Sequence, residues 1–351
     1  MKLFEDKIRT QTQIGKTGEN IYNYFDTNSQ IEIEKIRNLF NTWFDNYPND
    51  YKNDLLKSFK NKFYDSFFEL FIHELFRKQG YTLIPHPPLL NTNRKPDFLA
   101  VKGDEKFYIE ATTVAYLSEE EQKKENFREK FIDELNKISA AKYWIVLNDL
   151  NFKSNNFPKT KHLKSTIEKS ISKLNPIIFD FETSKLLSLE EVIIEDDNVK
   201  ISLSIIKKNN LNMENSRPIG LQYYKPIIKD AIEDSEKILK NLKHKASRYG
   251  ELELPFLVCL NIDFRYNLQY DVDDAFYNQN FIYSPTPKLT KLSAALITKI
   301  SLGNIFDSPK HRLITNSHSQ RKLPTDNIQL SYEIDGNEAL KKSIQEILNL
   351  K

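Results

Sequence analysis

The run FELFIHELFRKQG (68–80) sets Phe68, Phe71, Ile72, Leu75 and Phe76 at steps of three and four, which is one face of an α-helix, and Gly80 ends it. Three short runs follow: YTLIP (81–85), DFLAVK (97–102) and FYIEATTV (107–114). They are rich in aromatic and β-branched residues and read as strands, the charged turn KGDEK joining the last two as a hairpin. Ahead of this block, IEIEKIRNLFNTWF (31–44) spaces Ile33, Ile36, Leu39, Phe40 and Trp43 as a helix, so residues 1–62 read as a helical region capping a core.

The middle of the chain is more polar. SEEEQKKENFREKFIDELNKI (118–138) predicts a charged amphipathic helix with Phe127, Phe131 and Leu135 inward, opened by a capping box from Ser118 to Glu121. YWIVLNDLNF (143–152) reads as a strand, HLKSTIEKSISKL (162–174) as a helix and NVKISLSII (198–206) as a strand. Residues 115–225 are therefore expected to form an inserted α/β subdomain, with Tyr143–Leu150 as an alternative next core strand. Pro226 then opens a helix that Gly250 stops, and LPFLVCLNID follows as a buried strand. LSAALITKIS (292–301) predicts another strand. Residues 301–351 read as an extension in which NEALKKSIQEILNL closes the chain as an amphipathic helix. DVDDAF (271–276) reads as an acidic helix start, with metal ligation as the alternative, and His311, Asn316 and His318 as loop residues without a metal-nuclease spacing.

The chain has 351 residues, enough for one large or two ordinary domains, with 39% apolar and 28% charged residues as in soluble globular proteins. A formal charge of +2 confines any nucleic-acid surface to a local patch. Cys259 is the only cysteine, which excludes an internal disulfide and a Cys-based zinc site. The start, MKLFEDKIRTQTQ, lacks the apolar core of a signal peptide and no run is long enough to span a bilayer, so the expectation is a cytoplasmic protein without a membrane partner. Gly15-Lys16-Thr17 echoes a phosphate-binding loop, but Thr10 stands where that loop needs its first Gly and no strand precedes it.

Chemistry concentrates in the helix-and-hairpin block. The hairpin puts Asp97 and Glu110 on neighbouring strands, where two carboxylates repel unless a cation lies between them; Mg2+ (or Mn2+), which takes hard oxygen ligands, is the natural occupant. Taken singly, Pro96-Asp97 is also an ordinary turn dipeptide, and Glu69 with His73 an ordinary i,i+4 surface pair. Glu110 is different, because it interrupts an apolar strand and an ionised carboxylate there needs a partner.

Glu69 on the helix, Pro96-Asp97, and Glu110 followed two residues later by Thr112 together resemble the PD-(D/E)xK nuclease superfamily, the restriction-endonuclease-like fold. The resemblance implies an α/β core with a central mixed sheet, built from residues 63–114 and 226–300 and split by the 115–225 insertion. It implies metal-dependent hydrolysis of phosphodiester bonds in DNA, most simply double-stranded, in bacterial restriction or phage defence, with a homodimer or a defence-system protein as further partner. Asp97 and Glu110 would hold the metal, Glu69 would orient water or a second ion, and Arg94 and Lys95 would grip backbone phosphates. Two rivals stand beside this: a catalytically weakened module that binds DNA or protein, and an RNA nuclease.

The superfamily's lysine would fall at Thr112, which shares Glu110's face of the strand but carries no charge. Lys245 is the expected replacement. Ile238, Leu242, Lys245 and Tyr249 step by four, three and four along the later helix, and Lys245 with Tyr249 resembles the Gln-x-x-x-Tyr helix motif of some nuclease families. The alternative is a Lys245 ammonium extended into water, leaving Lys142, Lys102 or a site without lysine. His86 in PHPP reads as structural or as lying near the mouth of the site.

Overall fold

The computed structural model describes residues 1–12, 15, 18–138, 140, 143–173, 191–207, 218–219, 221–222, 231–262, 266–278, 289–307, 309–334 and 337–350. Two compact units divide the chain: residues 1–14, 19–116 and 229–351 form one, and residues 15–18 and 117–228 the other.

The first helices of the first unit are α1 (Ile21–Thr27), α2 (Ile31–Asp45) and α3 (Lys52–Asn61). Helicity expected over residues 1–62 thus starts only at Ile21. The described residues before it are not helical, and they are held by the Tyr22 hydroxyl on the Leu3 carbonyl (2.8 Å) and by Phe4 stacked on Tyr22 at 5.0 Å. Helix α4 (Phe63–Lys78) comes next and is buried along most of its length by Phe63, Phe67, Phe68, Leu70, Phe71, Ile72, Leu75 and Phe76. It stops where Gly80 takes φ +88°, a left-handed value that suits a residue without Cβ.

Strands β1 (Thr82–Pro85), β2 (Phe98–Lys102) and β3 (Glu105–Val114) follow as an antiparallel meander, with Gly103 at φ +59° in the β2–β3 turn. The second unit contributes α5 (Glu119–Leu135), β4 (Tyr143–Phe152), α6 (Thr160–Lys173), β5 (Glu191–Glu195), β6 (Val199–Lys207) and β7 (Leu221–Gln222). Its strands form a separate sheet, β5-β6-β4-β7, so Tyr143–Leu150 is not a strand of the first sheet. Phe131, Leu135, Ile145, Leu147, Leu163, Ile167, Ile201 and Leu203 build its core. The Ser118–Glu121 capping box starts α5 as expected.

The chain returns to the first unit with α7 (Ala231–Ala246), β8 (Phe256–Ile262), the short α8 (Tyr270–Asp273) with a π-turn over Asp274–Asn278, β9 (Ala294–Lys299), β10 (Lys310–Thr315), β11 (Tyr332–Ile334), β12 (Asn337–Ala339) and α9 (Ile344–Leu348). The helix start expected at Pro226 lies outside the described residues. The sheet order is β1-β2-β3-β8-β9-β10-β11-β12, with β3, β8 and β9 parallel and antiparallel pairs at the β1 and β12 ends. This is a mixed α/β protein with one large mixed sheet.

Two expectations fail in the last fifty residues. The closing helix is only Ile344–Leu348, because Asn337–Ala339 pairs antiparallel with β11 and Ser343 caps the helix at its own position. His311 lies on strand β10 and not in a loop, whereas Asn316 and His318 are loop residues as expected, Asn316 being buried with its amide donating to the carbonyls of Leu289 and Leu292.

Alternation along β3 and β8 assigns the faces. Phe107, Ile109, Leu257 and Cys259 share the core of α4, whereas Glu110 meets side chains of α7 and of the turn behind it; Tyr249 in that turn packs edge-on to Phe256 at 5.6 Å.

Candidate active site

Helix α4 presents Asp65, Glu69 and His73 at four-residue intervals, hence on one stripe. Asp65 accepts from the Thr113 hydroxyl on β3. Glu69 Oε1 accepts from the Tyr47 hydroxyl at 2.7 Å. His73 makes no pair with Glu69. It is buried, its ring lies 4.7 Å from that of Tyr47 and 5.8 Å from that of Phe98, and burial pushes its pKa down to about 4, with the Arg77 charge adding to the fall. The imidazole is thus a neutral packing group behind Tyr47.

Asp97 sits one residue before β2, where Pro96 biases Lys95 toward extended backbone. The Asp97 carbonyl accepts from the His86 amide at 2.9 Å, and Oδ2 accepts from the Ala111 amide at 2.6 Å. His86 adopts φ +49°, an uncommon conformation for a residue with a side chain. It lies beside the site, and its charge favours the ionised form of Glu69.

Glu110 is 1% exposed and fully engaged. Oε1 accepts from Lys245 Nζ at 2.7 Å and from Arg248 Nη1 at 3.0 Å, and Oε2 accepts from the Tyr249 hydroxyl. Lys245 is the cation that the helical stripe predicts to face inward, and its side chain is only 14% exposed. The ammonium therefore reaches Glu110 and not water. The Tyr249 hydroxyl also lies 3.2 Å from the Lys95 carbonyl, and Arg94 Nη1 donates to the Arg248 carbonyl at 3.0 Å, so the loop before Pro96 is tied to the turn that ends α7. Arg94 and Lys95 are exposed, and Thr112 is half-buried on Glu110's face of β3. Lys102 points elsewhere, donating to the Gln79 carbonyl at 2.7 Å; Lys142 lies outside the described residues.

The electrostatics follow from this crowding. Burial raises the Asp97 carboxyl well above its usual range, and the charges of Glu110 and Glu69 raise it further, against the Ala111 amide and Lys245. Burial likewise raises Glu69, while the Tyr47 hydrogen bond and His86 hold it back. Tyr47 and Tyr249 are both pushed up by burial and by their carboxylate partners, so each phenol stays a donor. Among the described residues no group of three or more His, Cys, Asp or Glu side chains lies close enough to hold a metal ion.

Tyr47 and Arg248 escaped the sequence reading. Arg248 carries a signal, since it stands three residues after Lys245 on a continuing helical turn. Tyr47 carries none, because it reaches Glu69 across 22 residues of chain. No known protein family, no curated protein and no solved structure matches this chain. No helix among the described residues is long and apolar enough to cross a membrane.

Proposed function

We propose that the first unit is a metal-dependent nuclease that hydrolyses phosphodiester bonds in DNA. The observation that carries this reading is that Asp97 accepts from the amide of Ala111, the residue after Glu110, while Lys245 sits on Glu110 and Thr112 is uncharged. The donor set fits Mg2+ or Mn2+, because Asp97 and Glu110 offer hard oxygens and Asp97, raised first by burial, is raised further by Glu110 and Glu69, a repulsion that a divalent cation relieves. Asp97 and Glu110 would hold the ion; when bound it supplies Lewis acidity and makes a coordinated water acidic.

The chain's own residues do the rest. Lys245 and Arg248 supply positive charge at Glu110 that can turn to a phosphate oxygen as negative charge builds there. Glu69, fixed by Tyr47, is placed to accept a hydrogen bond from the attacking water. The Ala111 amide fixes the Asp97 carboxylate, and Tyr249 fixes Glu110. Restriction or phage defence is the setting that the resemblance suggests.

One observation favours a second reading. Both oxygens of Glu110 are already occupied by Lys245, Arg248 and Tyr249, and Thr112 brings no charge, which suits a weakened module that binds nucleic acid without cutting it. A plasmid nicking assay with Mg2+ or Mn2+, repeated in EDTA and with RNA competitor, separates these readings. Metal-dependent nicking that Asp97→Ala or Glu110→Ala abolishes, with both variants folded, is expected. Nicking at the wild-type rate by either variant sinks the proposal, binding without cleavage favours the second reading, and preferential loss to RNA competitor makes RNA the substrate.

A further inference from the structure

The turn from Arg248 to Glu253, which joins α7 to β8, collects cations from three distant parts of the chain. Arg94 Nη1 bonds the Arg248 carbonyl at 3.0 Å, Lys291 Nζ pairs with Glu251 Oε1 at 2.9 Å, and Arg321 Nε bonds the Glu253 carbonyl at 2.9 Å. Lys95 stands next to Arg94 and its carbonyl lies 3.2 Å from the Tyr249 hydroxyl in the same turn. The turn begins at Arg248, which is itself on Glu110. We propose, resting on the nuclease reading above, that this turn is the spine of a phosphate track that leads a nucleic-acid strand away from the site, with Arg94, Lys95, Arg248, Lys291 and Arg321 as its contacts.

The way these side chains are anchored supports the assignment. Arg94 and Arg321 spend a hydrogen bond on a main-chain carbonyl, which holds the guanidinium in place and leaves its charge uncompensated; among the described residues neither pairs with a carboxylate. Arg94, Lys95 and Arg321 are exposed, and Lys291 and Arg248 are 35% and 38% exposed. Five cations here face three carboxylates, Glu110, which takes Arg248, Glu251, which takes Lys291, and Glu253, so Arg94, Lys95 and Arg321 carry the surplus on a chain whose formal charge is only +2. A local surplus of this kind is the footprint of a polyanion. The partner chemistry is therefore a short stretch of sugar-phosphate backbone, read for charge and not for base identity.

The test is the salt dependence of binding to a fluorescent 30-base-pair duplex, in Ca2+ to suppress cleavage. Lys291→Gln with Arg321→Gln should lower the slope of log K against log salt by about 1.8, near 0.9 per lost phosphate contact, and by the same amount on unrelated sequences. Lys161→Gln with Lys169→Gln, two exposed lysines of α6, should leave the slope unchanged, and Arg321→Lys, which keeps the charge, should restore most of it. If the first double variant melts early, Lys291→Glu alone should still lower the slope. A wild-type slope in the Lys291/Arg321 variant overturns the track while leaving the nuclease reading intact. An equal fall in the α6 control overturns it as well, and a wild-type protein that binds neither duplex nor single strand removes both.

Discussion

Two of the ion clusters in the first unit are balanced differently. Around β10 and β11, Arg312 is 10% exposed and bonds Glu333 through both Nε and Nη2 at 2.7 Å and Asp273 through Nη1 at 2.7 Å, while the Tyr277 hydroxyl donates to Glu333 at 2.8 Å. Burial alone would raise Glu333, but the Arg312 fork and Tyr277 hold its carboxyl below the usual value. Around β3, Lys245 and Arg248 are both spent on Glu110, and Asp97 and Glu69 are left raised. A cluster whose charges close is a structural clamp; one with raised carboxylates left over would, on the proposed reading, take a cation. A cleft of about 1370 Å³ opens beside Arg312, yet it is lined by none of Glu69, Asp97, Glu110 or Lys245, so size and chemistry point to different places. The chemistry is the better guide, because the buried ions of this cleft, Arg312 with Glu333 and Asp273, already pair with one another.

Removing a charge should therefore have opposite effects in the two clusters. Arg312→Ala leaves Glu333 and Asp273 facing each other and should cost about 3–5 kcal/mol of stability, read from the urea midpoint. Asp97→Asn should not. The folded chain keeps the Asp97 proton to higher pH than the unfolded chain does, so the stability linked to that group is full below the unfolded carboxyl value, about 4, and is lost as pH rises through the folded one. Without metal, Asp97→Asn should therefore match the wild type near pH 4 and melt higher than it at pH 8, with Mg2+ closing the gap by stabilising only the wild type. A lower melting temperature for Asp97→Asn at pH 8 would erase the distinction between the clusters.

Lys245→Met sharpens the same contrast on the side of function. The methionine keeps the apolar stem and deletes the charge, while Glu110 retains Arg248 and Tyr249. Cleavage should fall about a hundredfold, near 2.7 kcal/mol of transition-state stabilisation, with duplex binding unchanged. Turnover close to normal would transfer the role to Arg248 or to a site that works without lysine.

Periodicity was enough for the frame. The α4 stripe, the β2–β3 hairpin and the α7 stripe with Lys245 all follow from spacings of two, three and four residues. What stayed hidden had physical causes. Strand β5 has only three apolar residues, Val192, Ile193 and Ile194, between glutamates, and β11 and β12 are three residues each, too short for a period to register. Tyr332–Ile334 and Asn337–Ala339 owe their strand character to pairing with neighbours and not to their own propensity. The acceptor side of the site was readable because a carboxylate inside FYIEATTV is anomalous on any reading. The donors were partly hidden, because an Arg near a helix end and a Tyr after one are ordinary until the fold brings them to a carboxylate.

Tyr47 is the case that tests this last point, and its effect should be the smallest. The ring is buried at the end of α2 against His73 and Phe98, so Tyr47→Phe keeps the packing and removes one hydroxyl. That hydroxyl donates to Glu69 at 2.7 Å and is the strongest influence holding the raised Glu69 carboxyl down. Without it Glu69 rises further. The lost bond stabilises the ionised carboxylate, so its contribution is present above the Glu69 pKa and disappears as pH falls through it. One hydrogen bond of about 1.4 kcal/mol corresponds to roughly one pH unit. If ionised Glu69 positions the attacking water, the acidic limb of the cleavage profile should move up by about one unit. Activity should then drop up to about tenfold on that limb and return to near wild type at higher pH. A purely structural role predicts something else: a lower melting temperature with the limb unmoved. A variant that melts lower and keeps its wild-type acidic limb would make Tyr47 a packing residue and leave Glu69 without a part in the chemistry.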